Sequence, residues 1–450
     1  MDIIGLIPSF GGLLYTLAAF VVALSVIVAV HEYGHYIVGR WSGIKAEVFS
    51  IGFGPVLFSK RDRHGTVWQV AALPLGGYVK FLGDASAASD KPDDAVMSRL
   101  DADERRHTMH GAPLWARAAT VAAGPVFNFI LSILVFSAIV LGQGTARDPL
   151  TVRDLAELPA QAQGLEQGLE PGDVILAVEG REAPGVEGFG AFIDTLPQER
   201  TFDWTVLRDG QETTVAAPNP FPPLVSAVMP QSAALDAGLR PGDVIVAVDG
   251  EEIWTFAQLR EKVDDSAGGE LMLTVWNEGE TREVALAPKR RDLPRDDGSF
   301  ETRWLIGVNG GLYFSPETAT PGVVEALGHG VDQTLFVIRS SLSGLYHMAV
   351  GAISTCNLSG PIGIAETSGV AASQGWISFI WFIAVLSAAV GLLNLFPIPV
   401  LDGGHLVFHA WEALTGRPPS DGVLRVMMGI GLGLIGLLMI FALSNDLFCP

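Results

Sequence analysis

The chain has 450 residues, 49% of them hydrophobic and only 17% charged, which points to a membrane protein rather than a water-soluble enzyme and suits about two to four domains. Its formal charge of −21 is unevenly placed: residues 143–330 hold 32 Asp and Glu against 14 Lys and Arg, a net of −18. An acidic central block argues against nucleic-acid binding, which needs a basic face. Two cysteines, Cys356 and Cys449, make neither a disulfide framework nor a cysteine-based zinc site, and leave the redox compartment open.

The first element is a run of twenty uncharged residues, GGLLYTLAAFVVALSVIVAV (11–30). It predicts a membrane helix over 11–35, since about 20 apolar residues cross a bilayer. Residues 1–12 carry no Lys or Arg and the apolar run is long for a signal peptide, so the segment is read as a retained span. Its end carries VHEYGHY (30–36). On a helix His31 and His35 are i and i+4 and share a face. Two neutral imidazoles at that spacing can hold one zinc ion, with Glu32 beside it to take a proton from bound water. The blander alternative is a pair of helix-end histidines with a snorkelling glutamate. Ionisable residues in a span are costly and functional by default, which favours the metal site.

Residues 46–82 alternate apolar, aromatic and glycine positions and read as β structure; 84–111 is polar and is expected to be mobile. A second span covers 118–142. Its AAGPVFNF (122–129) groups Gly124, Pro125 and Asn128, where small residues let helices approach and Asn128 acts as interhelical glue. The acidic block contains a repeat. GLEPGDVILAVEG (168–180) and GLRPGDVIVAVDG (238–250) agree at ten of thirteen positions, 70 residues apart. A strand between two turns, twice, predicts two small β-rich domains, 143–220 and 221–310. Residues 311–375 form a linker region whose amphipathic stretch 331–352, with Arg339 and His347, reads as an interfacial or packing helix. A third span, 376–400, runs into NLFPIPVLDGGH (394–405), and a fourth covers 423–443. The expected segments are thus 1–45, 46–117, 118–142, 143–220, 221–310, 311–375, 376–405 and 406–450.

Orientation follows from basic residues flanking the spans. Arg40, Lys45, Lys60, Arg61, Arg63, Lys80, Arg105, Arg106 and Arg117 lie between the first two spans, Arg417 lies between the last two with Arg425 at the start of the fourth, and no Lys or Arg follows. Both connections are therefore expected to be cytoplasmic, with both termini and the acidic block outside. HEYGH and residues 394–405 then share one depth near the cytoplasmic face. A catalytic zinc usually has a third protein ligand. Asp402, after the Pro397 and Pro399 break, is the leading candidate; His405 and His409 are rivals, and a helix N-cap is the structural alternative for Asp402. Asn394 could bond substrate backbone or a developing oxyanion, or another helix.

Four motifs in this order, HEYGH, AGPVFN, NLSGPIGIA (357–365) and NLFPIPVLDGGH, with the paired repeat between the second and third, resemble the site-2 protease family of intramembrane zinc metalloproteases, peptidase M50. The resemblance covers essentially the whole chain. It implies a polytopic α-helical membrane protein with four transmembrane helices in the bacterial inner membrane. It further implies a membrane-associated β region and two extracytoplasmic PDZ domains, although neither repeat shows a GLGF-type carboxylate loop. It implies one Zn2+ held by His31, His35 and Asp402, with Glu32 as catalytic base and Asn394, Pro397 and Pro399 engaging substrate. The strand containing Gly76, Gly77, Tyr78 and Val79 would pair with an unwound substrate helix. Implied substrates are single-pass membrane proteins, such as an anti-sigma factor already trimmed by another protease, and remnant signal peptides, within regulated intramembrane proteolysis of the extracytoplasmic stress response. Two other classes make different demands. A PDZ-bearing scaffold without proteolysis needs no stoichiometric zinc. A metal transporter needs ionisable residues spread over several spans, and here they gather at one depth.

Overall fold

The computed structural model describes residues 10–85, 93–159, 168–294 and 300–449. They fall into two compact units, one built mainly of the long helices and an N-terminal hairpin, the other of the acidic block.

Among the described residues, four helices are long and apolar enough to cross a membrane: Gly12–Trp41, Leu114–Gln143, Trp376–Asn394 and Gly422–Phe448. A helix satisfies its own backbone, which is why uncharged runs of this length adopt it in lipid. Two boundaries depart from expectation. The first helix does not stop at residue 35 but continues to Trp41, so HEYGH lies within it. The third stops at Asn394 rather than 400. Pro397 and Pro399 lack an N–H and push the residues before them out of helical backbone. A tight reversal follows, and a new helix starts at Asp402 and runs to Thr415. Glycine makes that reversal possible. A Cβ on Gly403 would stand 2.3 Å from the carbonyl oxygens of Leu395 and Phe396, and one on Gly404 2.3 Å from that of Ile398.

The hairpin pairs Ala46–Arg61 with Val67–Phe81. Both strands bend, so residues 46–51 meet two partners. They pair with 77–81 on one side (Phe49 opposite Val79, Ile51 opposite Gly77) and with 67–70 on the other (Phe49 opposite Trp68). Residues 77–81 therefore form an edge. Tyr36 of the first span donates to the Asp62 carboxylate at 3.1 Å and Trp68 donates at 3.0 Å, which ties the sheet to the helix. Burial works to raise the Asp62 pKa; the bonds from Trp68, His64, Thr66 and Tyr36 outweigh it and hold the group below the usual carboxylate range.

Of the stretch 84–111, expected to be mobile, residues 86–92 lie outside the described set, and part of the remainder takes up local structure. Helix Ala102–Arg106 opens with a capping box between Asp101 and Glu104. Met109 and Ala112 are buried with Tyr36, Phe49, Val79 and Phe81. A local cap and two apolar anchors order a stretch whose average composition is polar.

In the acidic unit each repeat forms a four-stranded sheet with the same strand order. Strands Arg181–Glu182, Val174–Val178, Thr201–Arg208 and Gln211–Pro218 lie side by side in one. Glu251–Glu252, Val244–Val248, Leu271–Asn277 and Glu280–Leu286 do so in the other. One boundary needs correction: the linker does not begin at 311. Phe314–Pro316 pairs with Val152–Leu155, Thr318–Ala319 pairs with Thr145–Ala146, and Tyr313 and Phe314 enter the first repeat's core. The chain returns after the second repeat to close the first, through strands too short to show alternation. Beyond it, helix Val323–Ala349 starts before the expected amphipathic stretch 331–352 and ends three residues short of it, burying Ala326, Gly330, Thr334 and Val337 along one stripe.

The repeated Pro-Gly-Asp acts through its carboxylate. Asp173 accepts from the Glu170 N–H and from Arg208, and Asp243 from the Arg240 N–H, Asn277 and Arg282. Asp243 is 1% exposed, whereas Arg282 is 44% exposed. Removing the buried partner strands several donors, so Asp243→Ala is expected to destabilise the second repeat by about 2–3 kcal/mol. Arg282→Ala should cost about 1 kcal/mol or less. Denaturant unfolding of the full-length protein, followed by tryptophan fluorescence, checks the ratio.

Candidate metal centre

His31, Glu32 and His35 sit on consecutive turns of the first span, and Asp402 opens the helix after the proline break. The structure brings three donor atoms together. His31 Nε2 and His35 Nε2 are 3.2 Å apart, and Asp402 Oδ2 is 3.2 Å from the first and 3.5 Å from the second. Asp402 Oδ2 is buried and, despite those distances, meets hydrogen-bond geometry with neither ring. Three such acceptors facing one point repel unless a cation lies between them. Tetrahedral zinc with bonds of roughly 2.0–2.1 Å holds its ligand atoms about 3.3–3.4 Å apart, so the donor set fits zinc. Among the described residues this is the one His/Cys/Asp/Glu group of metal-binding spacing. Asp402 is the first residue of its helix and not its cap, which is Leu401. His405 and His409, the rival ligands, line the same cavity but stand outside the group.

The second span supplies the support. The His35 ring donates from Nδ1 to the Thr120 carbonyl at 2.8 Å, leaving Nε2 as an acceptor. Asn128, fully buried, reaches His31 Nδ1 at 3.2 Å. A Cβ on Gly124 would stand 2.4 Å from His35 Nε2 and 2.8 Å from His31 Cε1. Sequence reasoning assigned Gly124 and Asn128 to helix packing alone. The available signal was the four-residue spacing of Thr120, Gly124 and Asn128, which puts them on one face at the height of the histidines.

The hairpin's edge forms the opposite wall. Gly77, Tyr78 and Val79 line a cavity of about 490 Å3 together with the donor residues and Asn394. Glu32 and Val79 face the same cavity. A Cβ on Gly77 would come within 2.8 Å of Val28 and 3.0 Å of Glu32, so glycine is what lets the strand lie against the helix here. Gly76 instead packs under the Phe53 ring, where a Cβ would meet it at 2.4 Å. The Asn394 side chain donates to the Val390 carbonyl at 3.0 Å from the cavity wall. Pro397 and Pro399 do not line the cavity; Pro399 packs against Gly431 of the fourth span, 3.1 Å from a Cβ built there.

Beside the cavity, Arg117 forms a bidentate pair with Glu412 at 2.7 and 3.1 Å. Burial, and next the Arg117 charge, push His409 down to about 4, which keeps it neutral at pH 7.

Comparison with known proteins follows the same lines. The model of peptidase family M50 matches residues 19–438. The chain is 36% identical over 436 residues to an Agrobacterium fabrum protein provisionally named a zinc metalloprotease, covering 95% of this chain and 94% of that one. A Rhizobium meliloti protein of the same provisional name is 37% identical over 438 residues, 96% of each chain. The Salmonella typhimurium regulator of sigma-E protease RseP is 34% identical over 464 residues, 96% of this chain and 98% of that one.

Proposed function

This chain belongs to peptidase family M50 and is a zinc metalloprotease; from that premise we propose that it cuts single-pass membrane proteins within their spans. The observation that carries the proposal is the His31–His35–Asp402 donor set beside Glu32, on helices long and apolar enough to cross a bilayer.

His31, His35 and Asp402 would hold one zinc per chain, which supplies Lewis acidity and makes water a nucleophile near neutral pH. Glu32 accepts the proton of the attacking water and returns it to the departing amine. A substrate helix hides its carbonyls, so it must unwind before attack. Gly77, Tyr78 and Val79 form a sheet edge beside Glu32, positioned to hold the unwound segment by strand addition. Asn394, on the cavity wall, would bond substrate backbone. Pro397 and Pro399 would act indirectly, by breaking the third span so that Asp402 and water reach the site.

The two four-stranded repeats are read as PDZ domains outside the cytoplasm of a bacterial inner membrane, with both termini on the same side. The basic residues flanking the spans support that orientation. The outer half of the hairpin's first strand exposes Val56, Leu57 and Phe58, which suits contact with lipid. We take an anti-sigma factor, cut after a first trimming, as the substrate class, with remnant signal peptides as further substrates; relatives named as regulators of sigma E are in keeping with that reading.

The test is reconstitution in liposomes with a single-span substrate. Cleavage within the span, one zinc per chain, loss of activity on chelation and recovery with zinc are expected. An uncut substrate in the presence of stoichiometric zinc would overturn the proposal.

A further inference from the structure

The two histidines of the donor set are supported differently. His35 faces the Thr120 carbonyl with Nδ1. A carbonyl only accepts, so that ring carries its proton on Nδ1 and presents a lone pair at Nε2. His31 must do the same to join the set, because its Nε2 is the atom 3.2 Å from both His35 Nε2 and Asp402 Oδ2. Its Nδ1 therefore needs an acceptor as well.

The group at that position is the Asn128 carboxamide. As placed, Nδ2 lies 3.2 Å from His31 Nδ1, while Oδ1 is buried with no hydrogen-bond partner. The two ends of a carboxamide exchange by a half-turn of the side chain and are assigned from their partners. With the oxygen towards the ring, Oδ1 gains a donor and the His31 proton is held on Nδ1.

We propose that Asn128 is a positioning residue of the metal centre, its carboxamide oxygen accepting the His31 Nδ1–H and thereby directing Nε2 towards the metal. The residue is itself held from the third span. Its backbone carbonyl accepts from Ser132 Oγ at 3.0 Å and from Ser387 Oγ at 2.9 Å. A Cβ on Gly391 would lie 3.2 Å from the Asn128 Cβ, so the third span closes against the residue without room for a larger neighbour. The third span thus fixes Asn128, Asn128 fixes the His31 ring, and the segment after the third span delivers Asp402 to the same point. A purely structural asparagine would bond another helix's backbone and would have no reason to address the one ring nitrogen that decides the tautomer.

The inference rests on His31 being a zinc ligand, and the test separates the two. Zinc affinity is measured on full-length protein by chelator competition, together with the unfolding midpoint of the zinc-free form. Asn128→Leu is expected to weaken zinc binding by about 10–100-fold, as loss of such outer partners does. Asn128→Ala carries the same expectation if the leucine variant cannot be purified folded. Asn128→Asp, which keeps an acceptor, is expected to hold affinity within about threefold of the parent, completing a carboxylate–histidine–zinc arrangement. The proposal falls if the leucine or alanine variant keeps parental affinity, or if the aspartate variant loses as much as the leucine variant, the pattern of a merely structural role. His31→Ala is the control: parental zinc affinity there would sink the ligand assignment itself, whereas its loss alongside an unaffected Asn128→Leu would sink the positioning role alone.

Discussion

Glu32→Gln is expected to lower the cleavage rate by about 10^2–10^4-fold, the range general acid–base catalysis contributes, while the protein keeps its zinc. The side chain is nearly isosteric, and Glu32 is not a member of the donor set. Its side chain lies in the cavity lined also by Gly77 and Val79, a space that a glutamine side chain fills equally. What is lost is the capacity to take a proton from water and pass it on. Asp402→Ala should behave differently. It removes the one carboxylate of a set whose other two donors would ligate zinc as neutral imidazoles, so zinc content and cleavage are expected to fall together. Metal analysis and a cleavage assay on both variants decide the matter. Zinc loss in Glu32→Gln, or full activity in either variant, contradicts the assigned roles.

How much of this was readable beforehand depended on range along the chain. HEYGH was legible because a helix alone dictates where residues i and i+4 point. The spans were legible because an uncharged run of this length has few other solutions in a bilayer. Asp402 was reachable only through the depth argument, and the competition with His405 and His409 stayed open in the sequence. All three follow the same proline break, and what selects among them is a reversal set by contacts of Gly403 and Gly404 with the carbonyls of residues 395–398. The short helix over 102–106 and the burial of Met109 and Ala112 are not legible in the sequence, because average polarity hides a single capping box and two apolar anchors. The return of Phe314 to the first repeat was invisible for another reason. A three-residue strand carries no period, and its partner lies more than 150 residues away in the chain.

The second span gives the sharpest instance, and two of its contacts yield opposite expectations for the same substitution. Gly34 and Gly124 both lie where the first and second spans meet. A Cβ on Gly34 would be 2.5 Å from the Ala123 carbonyl oxygen, a backbone atom that cannot yield without separating the helices. Gly34→Ala is therefore expected to lower the stability of the whole helical unit. A Cβ on Gly124 meets no backbone at such range; it meets the rings of His35 at 2.4 Å and His31 at 2.8 Å. Neither ring can swing aside freely, because His35 is bonded to Thr120 and His31 adjoins Asn128. Alanine also favours helix over glycine by about 1 kcal/mol, which offsets part of any packing cost. Gly124→Ala is thus expected to leave the zinc-free unfolding midpoint near the parent while weakening zinc binding by about 10–100-fold, the scale seen when a ligand loses its orientation. Cleavage should fall at least as far. If Gly124→Ala binds zinc like the parent, or if it loses stability as Gly34→Ala does, the glycine serves helix packing alone. The expected split would show instead that a residue with no side chain belongs to the metal centre, because the space it leaves is the space the imidazoles occupy.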